Sequence, residues 1–216
     1  ETSSIREDWN GLAILHKHAS RVAGLDLGFL PKDSTYAAKH MADSNDIELM
    51  FLLDADEIKI NNKYKVYIGS HGDRGASNAD IILPGACYTE KNGFYMNTEG
   101  RLQQTNRAVF PPGDAKDNWR IILELSSRIK KSLKYKNLDE IRKDLKKNYP
   151  IFNNLNEIAK GEGSSLKILS NRENKPSDNK FINTISDYYL TNPITRSSRI
   201  MAECSMQKNN KEIING

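Results

Sequence analysis

Three short apolar runs constrain this chain more than any other feature. They are "IELMFLLDAD" at 47–56, "YKVYIGS" at 64–70 and "ADIILPGA" at 79–86. The first is a continuous apolar run ended by acids, the pattern of a strand buried on both faces. The second alternates and is β-branched. The third is stopped by Pro84–Gly85. Strand, polar segment, strand, loop and strand in this order predict part of an open α/β sheet.

Helices are expected on either side of these runs. Ser3 or Ser4, with Glu7 as a capping-box partner, starts a helix that carries Trp9, Leu12, Ala13, Leu15, Ala19, Val22 and Ala23 on one stripe. His16 and His18 fall within it. Two residues apart on a helix they point about 200° from each other and cannot share a metal. Gly24, Gly28 and Pro31 break the helix, and the Ala-rich segment 33–46 allows a turn or two more. Downstream, Pro111–Pro112–Gly113 is a stop. Asp114 or Asp117 then caps a helix with Trp119, Ile122, Leu123, Leu125 and Ile129 on its buried side. "NLDEIRKDLKKN" at 137–148 is a second, with acids first and bases last, as the helix dipole favours. Its basic residues, with those from Arg128 on, read as a solvated face rather than an anionic-surface patch. Residues 160–180 read as a linker or long surface loop. In 181–204, Asn192–Pro193 punctuates the chain, and Thr195 or Ser197 caps a last helix. "SMQKNNKEIING" reads as a frayed tail.

The chain has 216 residues, enough for one large domain or one and a half small ones. A net charge of +4, thinly spread, does not argue for nucleic acid, whose binders gather Lys and Arg on one face. Cys87 and Cys204 are the two cysteines. They are too few for an iron–sulfur cluster, which takes about four ligands, and no CxxC offers a zinc ribbon. They read as reduced thiols. The longest apolar run, "LMFLLDA" at 49–55, falls far short of the ~20 residues of a spanning helix. No signal peptide and no initiator Met are present, so the chain reads as a piece of something longer or as a processed product.

The stretch "GSHGDRGAS" at 69–77 draws the eye as chemistry. Gly69, Gly72 and Gly75 follow a strand, so backbone there can approach a ligand closely. His71 and Asp73 are near enough in sequence to orient one another. The spacing GxxGxxG is not the dinucleotide fingerprint, however, and neither a P-loop nor GxSxG occurs. Ser70 and Ser77 are therefore unconvincing nucleophiles, and Cys87 has no histidine nearby in sequence. Glu90, Lys91, Glu99 and Arg101 are expected to pair as a salt-bridged turn or to bind an anion.

These same residues carry a resemblance. "GSHGDRGAS", then "ADIILPGACYTEKNGFYMNTEGRLQQT" at 79–105, then "AVFPPGDAKDNWRIILELS" at 108–126 resemble the family of the 75-kDa iron–sulfur subunit of respiratory complex I, the NADH–quinone oxidoreductase. That family falls within the molybdopterin oxidoreductases. "ILHKHASRVAGLDLGF" is similar to a helix further upstream in it, and "DYYLTNPITRSSRIMAEC" to its C-terminal module. Cys87 stands where the family more often has a small residue, "SHGD" replaces a frequent "HHGD", and 150–180 matches poorly.

The resemblance implies an α/β fold: a partial open sheet of a molybdopterin-oxidoreductase-like domain with flanking helices, plus a small C-terminal helical module. It divides the chain into 1–130, the C-terminal part of that domain; 131–180, a helical segment and linker; and 181–216, the C-terminal module and tail. It implies a domain that kept its fold and lost its molybdenum cofactor, with [4Fe–4S] and [2Fe–2S] clusters in a preceding part and none in this chain. No catalytic, cofactor-binding or metal-binding residue is then assigned, and no catalysis is expected of the chain alone. The expected role is structural, in the peripheral arm of complex I. Partners are other peripheral-arm subunits, with no nucleic acid. The membrane is reached only indirectly, on the matrix or cytoplasmic side of the inner membrane. The alternatives are a fragment of an active, formate dehydrogenase-like molybdopterin enzyme, and a stand-alone nucleotide-binding domain.

Overall fold

A computed structural model describes residues 5–6, 9–10, 15–16, 18, 20–33, 38–55, 57, 60, 63–72, 74–158 and 185–215. At its centre is a three-stranded parallel sheet in the order β3–β4–β5, from Leu49–Leu53, Tyr64–Gly69 and Ile81–Pro84. The three apolar runs are these strands, and the open α/β architecture is the one the sequence predicts. A short antiparallel pair precedes them, β1 at Ile5–Arg6 and β2 at Trp9–Asn10. Helix α1 spans Arg21–Asp26, α2 Ala38–Asp43 and α3 Arg74–Ser77. After the sheet comes the antiparallel hairpin of β6, Gly93–Met96, and β7, Leu102–Thr105. Helices α4, Asn118–Arg128, and α5, Leu138–Asn148, follow.

Two small cores hold this together. On the sheet, Ile121 of α4 packs on Val66 and Ile68 of β4, with Leu83 of β5 beside them. Under the hairpin, Met96, Leu102 and Phe152 form a second core with Val22, Ala23 and Leu27 of the α1 region and Leu145 of α5. Each fully buried side chain of this size contributes about 1.5–3 kcal/mol. The α5 helix starts as expected: the Asn137 side chain accepts from the Glu140 N–H at 2.9 Å, and acids lead while lysines close. At the amino edge of the sheet, the Lys65 N–H donates to the Asp80 carboxylate at 2.7 Å, which holds that carboxyl below its ordinary pKa of 3.8.

Several expectations are corrected. Among the described residues the long first helix is not found. Residues 5–6 and 9–10 are a strand pair, and helix begins only at Arg21, after Ser20 in a left-handed conformation with φ of 60°. A periodic stripe becomes a helix where its apolar face has something to bury against. Here Val22, Ala23 and Leu27 reach the hairpin core, while Leu15 stays exposed. Strand β3 is not buried on both faces either: Met50 and Leu52 are buried, but Leu49, Phe51 and Leu53 are not. In α4 the buried isoleucine is Ile121, while Ile122 and Ile129 face outward. Adjacent residues on a helix point about 100° apart, so the sheet can take only one of the two.

At the C-terminal end, α6 spans Pro193–Arg196 and α7 spans Arg199–Asn215. Thr195 does not cap the last helix. It closes a capping box with Asn192 on α6, while the Ser198 hydroxyl accepts from Met201 N–H at the start of α7. The tail expected to fray is helical as far as Asn215, since no Gly or Pro interrupts it before Gly216. Arg196 ties this module to the sheet domain through an ion pair to Glu57, just beyond β3, at 3.0 Å. The expected linker at 160–180 lies outside the described residues.

Candidate functional site

The place where this fold would hold a ligand is the carboxyl edge of the parallel strands, where the strand ends leave a crevice between loops. Three loops meet there. Asp54 follows β3 with a positive φ of 50°, and its N–H donates to the Ile68 carbonyl at 2.8 Å. Gly69 ends β4, and Gly85 follows β5. Backbone ties run between the loops: Gly85 N–H to Gly69 carbonyl at 3.0 Å, and Ala86 N–H to Lys116 carbonyl at 2.8 Å.

What lies beside the glycines decides how the crevice reads. A Cβ on Gly69 would stand 2.7 Å from the Tyr67 hydroxyl and 2.8 Å from an Asp54 carboxylate oxygen. A Cβ on Gly85 would stand 2.6 Å from Asn118 Oδ1 and 3.3 Å from the Gly69 backbone. Both positions bring a Cβ closer than packed atoms tolerate, so any larger residue would force these side chains to shift. The neighbours that require it are the protein's own side chains. Tyr67 is 1% exposed, and its hydroxyl donates to the His71 carbonyl. Asn118, on the first turn of α4, donates from Nδ2 to Asp54 Oδ2 at 3.4 Å, while its own Oδ1 is buried without a partner among the described residues. Tyr95 of the hairpin lies within electrostatic reach of Asp54. Burial pushes its phenol up from the ordinary pKa of 10.0, and the charges of Cys87, Asp54 and Tyr88 add to the rise.

The candidate residues of the sequence reading make mostly local contacts. Ser70 Oγ lies 3.0 Å from His71 Nδ1, a contact between adjacent residues, and no carboxylate orients the imidazole among the described residues. Asp73 lies outside the described residues. Ser77 donates to the Arg74 carbonyl within its own short helix. Cys87 is buried and free, and its N–H donates to the Glu90 carboxylate at 2.8 Å. The salt-bridged turn does not form: among the described residues, Glu90, Lys91, Glu99 and Arg101 make no ion pairs with one another. The Asn97 side chain builds the hairpin turn instead, accepting from Glu99 N–H at 3.0 Å and Arg101 N–H at 2.9 Å. Gly100, with φ of 82°, completes it. Arg101 Nη1 reaches across to the Asn156 carbonyl at 3.0 Å.

His16 and His18 also need correcting. They lie outside any helix and line one cavity of about 300 Å3 with Arg21, Tyr95, Asn97 and Gln103. The angle argument that separated them does not apply off a helix. No group of three or more His, Cys, Asp or Glu stands in position to hold a metal among the described residues. Sequence reasoning missed Tyr67, Asp54, Tyr95 and Asn118. One signal was available: Tyr67 and Gly69 sit two apart on one strand and share a face, where a tyrosine can fold over a glycine.

Comparison with known proteins places these features. A family model described as molybdopterin oxidoreductase matches residues 1–128, and one described as the C-terminal part of the NADH-ubiquinone oxidoreductase G-subunit matches 158–204. The chain is 42% identical over 203 residues to the NADH-quinone oxidoreductase G-subunit of Rickettsia bellii, covering 93% of this chain and 28% of that protein. It is 41% identical over 207 residues to the NADH-ubiquinone oxidoreductase 75 kDa subunit of Reclinomonas americana, covering 92% and 29%. It is 42% identical over 212 residues to the mitochondrial 78 kDa subunit of Candida albicans, covering 91% and 28%. The chain thus spans less than a third of the length of these curated relatives. With its small parallel sheet, its flanking helices and a match across more than half its length, the chain belongs to the molybdopterin oxidoreductase family.

Proposed function

We propose that the chain is the C-terminal structural part of the 75-kDa-type subunit of complex I, a scaffold in the peripheral arm of NADH–quinone oxidoreductase. Electron transfer from NADH to quinone then runs through iron–sulfur clusters held in the preceding part of the subunit. Its partners are the other peripheral-arm subunits. It meets the membrane through them, on the matrix or bacterial cytoplasmic side. Among the described residues no helix is long and apolar enough to cross a membrane, which suits that placement. Residues 1–130, 131–180 and 181–216 are its domain part, its connecting segment and its C-terminal module.

The observation that carries the reading is the filled carboxyl edge. A pterin cofactor, which the family implies, would need open room at this edge. Tyr67, Asp54 and Asn118 pack close on Gly69 and Gly85 there, which does not favour the group, and no step is routed through it. The edge works instead as a joint that locks three strand ends and the start of α4 together. At Gly69 and Gly85 the missing Cβ lets the protein's own side chains approach the backbone. No catalytic, cofactor-binding or metal-binding residue is assigned to this chain. The formate dehydrogenase-like alternative requires an open pterin site, and this packing does not favour it.

A size-fractionated native gel of source-cell membranes, probed for this chain, tests the reading. Co-migration with a very large complex that oxidises NADH is the expected result. Migration as a small free protein would contradict it.

A further inference from the structure

The cavity beside the β6–β7 hairpin has a one-sided make-up. Its volume of about 300 Å3 equals that of roughly ten waters. The segment before α1 supplies His16 and His18, and α1 supplies Arg21. On the hairpin side, the register sets Tyr95 of β6 opposite Gln103 of β7, so both stand on one face. Val22 and Met96 add apolar lining. Two hydrogen bonds fix the walls. Met96 N–H donates to Ser20 Oγ at 3.0 Å, and Arg21 N–H donates to the His18 carbonyl at 3.4 Å. The side chains of His16, His18, Arg21, Tyr95 and Gln103 can all donate hydrogen bonds. Among the described residues no Asp or Glu lines the cavity. Glu99 stands on the adjoining turn, where it accepts from Asn97 Nδ2 at 3.4 Å. Arg21 is exposed and makes no ion pair among the described residues. Burial holds the Tyr95 phenol above its ordinary pKa of 10.0, so it stays an O–H donor.

We propose that this cavity binds the phosphate group of a small phosphomonoester. An oxyanion takes charge-assisted hydrogen bonds, and a guanidinium presents a fork of donors that matches it. Arg21 is that fork, His16 and His18 flank it, and Tyr95 and Gln103 donate from the opposite wall. The room exceeds what a bare phosphate fills, and Val22 and Met96 offer apolar contact to the rest of a ligand. An ester therefore binds more tightly than free phosphate. The inference adds a ligand to the scaffold role and does not depend on it.

The test uses the native protein purified from its source in phosphate-free buffer. Diethyl pyrocarbonate labels accessible histidines, and mass spectrometry follows the rate at each of the four, His16, His18, His40 and His71. His40 in α2 and His71 after β4 do not line the cavity and serve as internal controls. Ribose 5-phosphate and inorganic phosphate are the probes, with potassium chloride at matched ionic strength beside them. At a probe concentration about ten times Kd, labelling of His16 and His18 should slow roughly tenfold, with His40 and His71 unchanged. The ester should reach half-protection at a lower concentration than inorganic phosphate, and equal concentrations would overturn the choice of an ester. Equal slowing by chloride, equal slowing at all four histidines, no slowing, or no labelling of His16 and His18 without a probe would overturn the site. Arg21→Gln should raise the half-protection concentration roughly tenfold and leave labelling without a probe unchanged. An unchanged half-protection concentration would overturn the role of Arg21.

Discussion

The glycine loops at the ends of β4 and β5 and the charged turn of the β6–β7 hairpin come from one continuous stretch of sequence, and they use their residues in different ways. At the sheet edge the glycines make room: Gly69 and Gly85 lie against Tyr67, Asp54 and Asn118, and a larger residue would have to push them aside. At the hairpin the charges take little part. The turn rests on the Asn97 side chain and Gly100, with Arg101 adding one long-range hydrogen bond. A stretch that reads as one catalytic loop is therefore a close-packed joint followed by a surface turn. Changes at the joint should cost far more than changes at the turn.

The largest effect is expected below both regions. Leu102 is 1% exposed in the hairpin core, and Leu102→Ala should cost about 2–5 kcal/mol in urea unfolding. At the joint, Gly85→Ala forces a carbon against Asn118 and should cost about 1–3 kcal/mol. Adding Asn118→Ala should recover part of that loss, since the nearest clash goes while the Gly69 backbone remains. Full additivity in the double variant would break the packing account. Arg101→Ala removes one exposed hydrogen bond and should cost at most about 1 kcal/mol. A loss as large as that of Gly85→Ala would erase the contrast between joint and turn.

The smallest effect concerns pH and the C-terminal module. The Ser205 hydroxyl, and after it the Tyr189 N–H, hold the Asp187 carboxyl below its ordinary pKa of 3.8. A depressed carboxyl stabilises the fold above its unfolded pKa, and this contribution is lost as pH falls through the lower folded value. Ser205→Ala should therefore raise the pKa of Asp187, followed by carboxyl NMR, and the module should loosen at a higher pH than in the parent. An unchanged titration would show that the hydroxyl is not the partner that matters.

Much of this fold is legible in the sequence because it is local. The three strands announce themselves by run length and by their flanking breakers, and α5 by Asn137 and its ordered charges. What could not be read depends on partners distant in sequence. The stripe through Leu12, Leu15 and Ala19 has helical spacing, but spacing does not say whether a surface waits to cover it, and among the described residues helix starts at Arg21. The run at β3 is apolar throughout, yet only Met50 and Leu52 are buried. The filling of the glycine edge joins Asp54, Tyr67 and Asn118 from three separate elements, a meeting that no single window of sequence contains. The adjacent isoleucines of α4 differ only in which one meets β4.

The central claim is that the carboxyl edge of the sheet is a packed joint and not a cofactor site. Molybdenum, tungsten and pterin content of the subunit purified from its source complex tests this most directly. The account predicts that none of the three exceeds trace levels. Molybdenum or tungsten in stoichiometric amount, together with pterin, would contradict it.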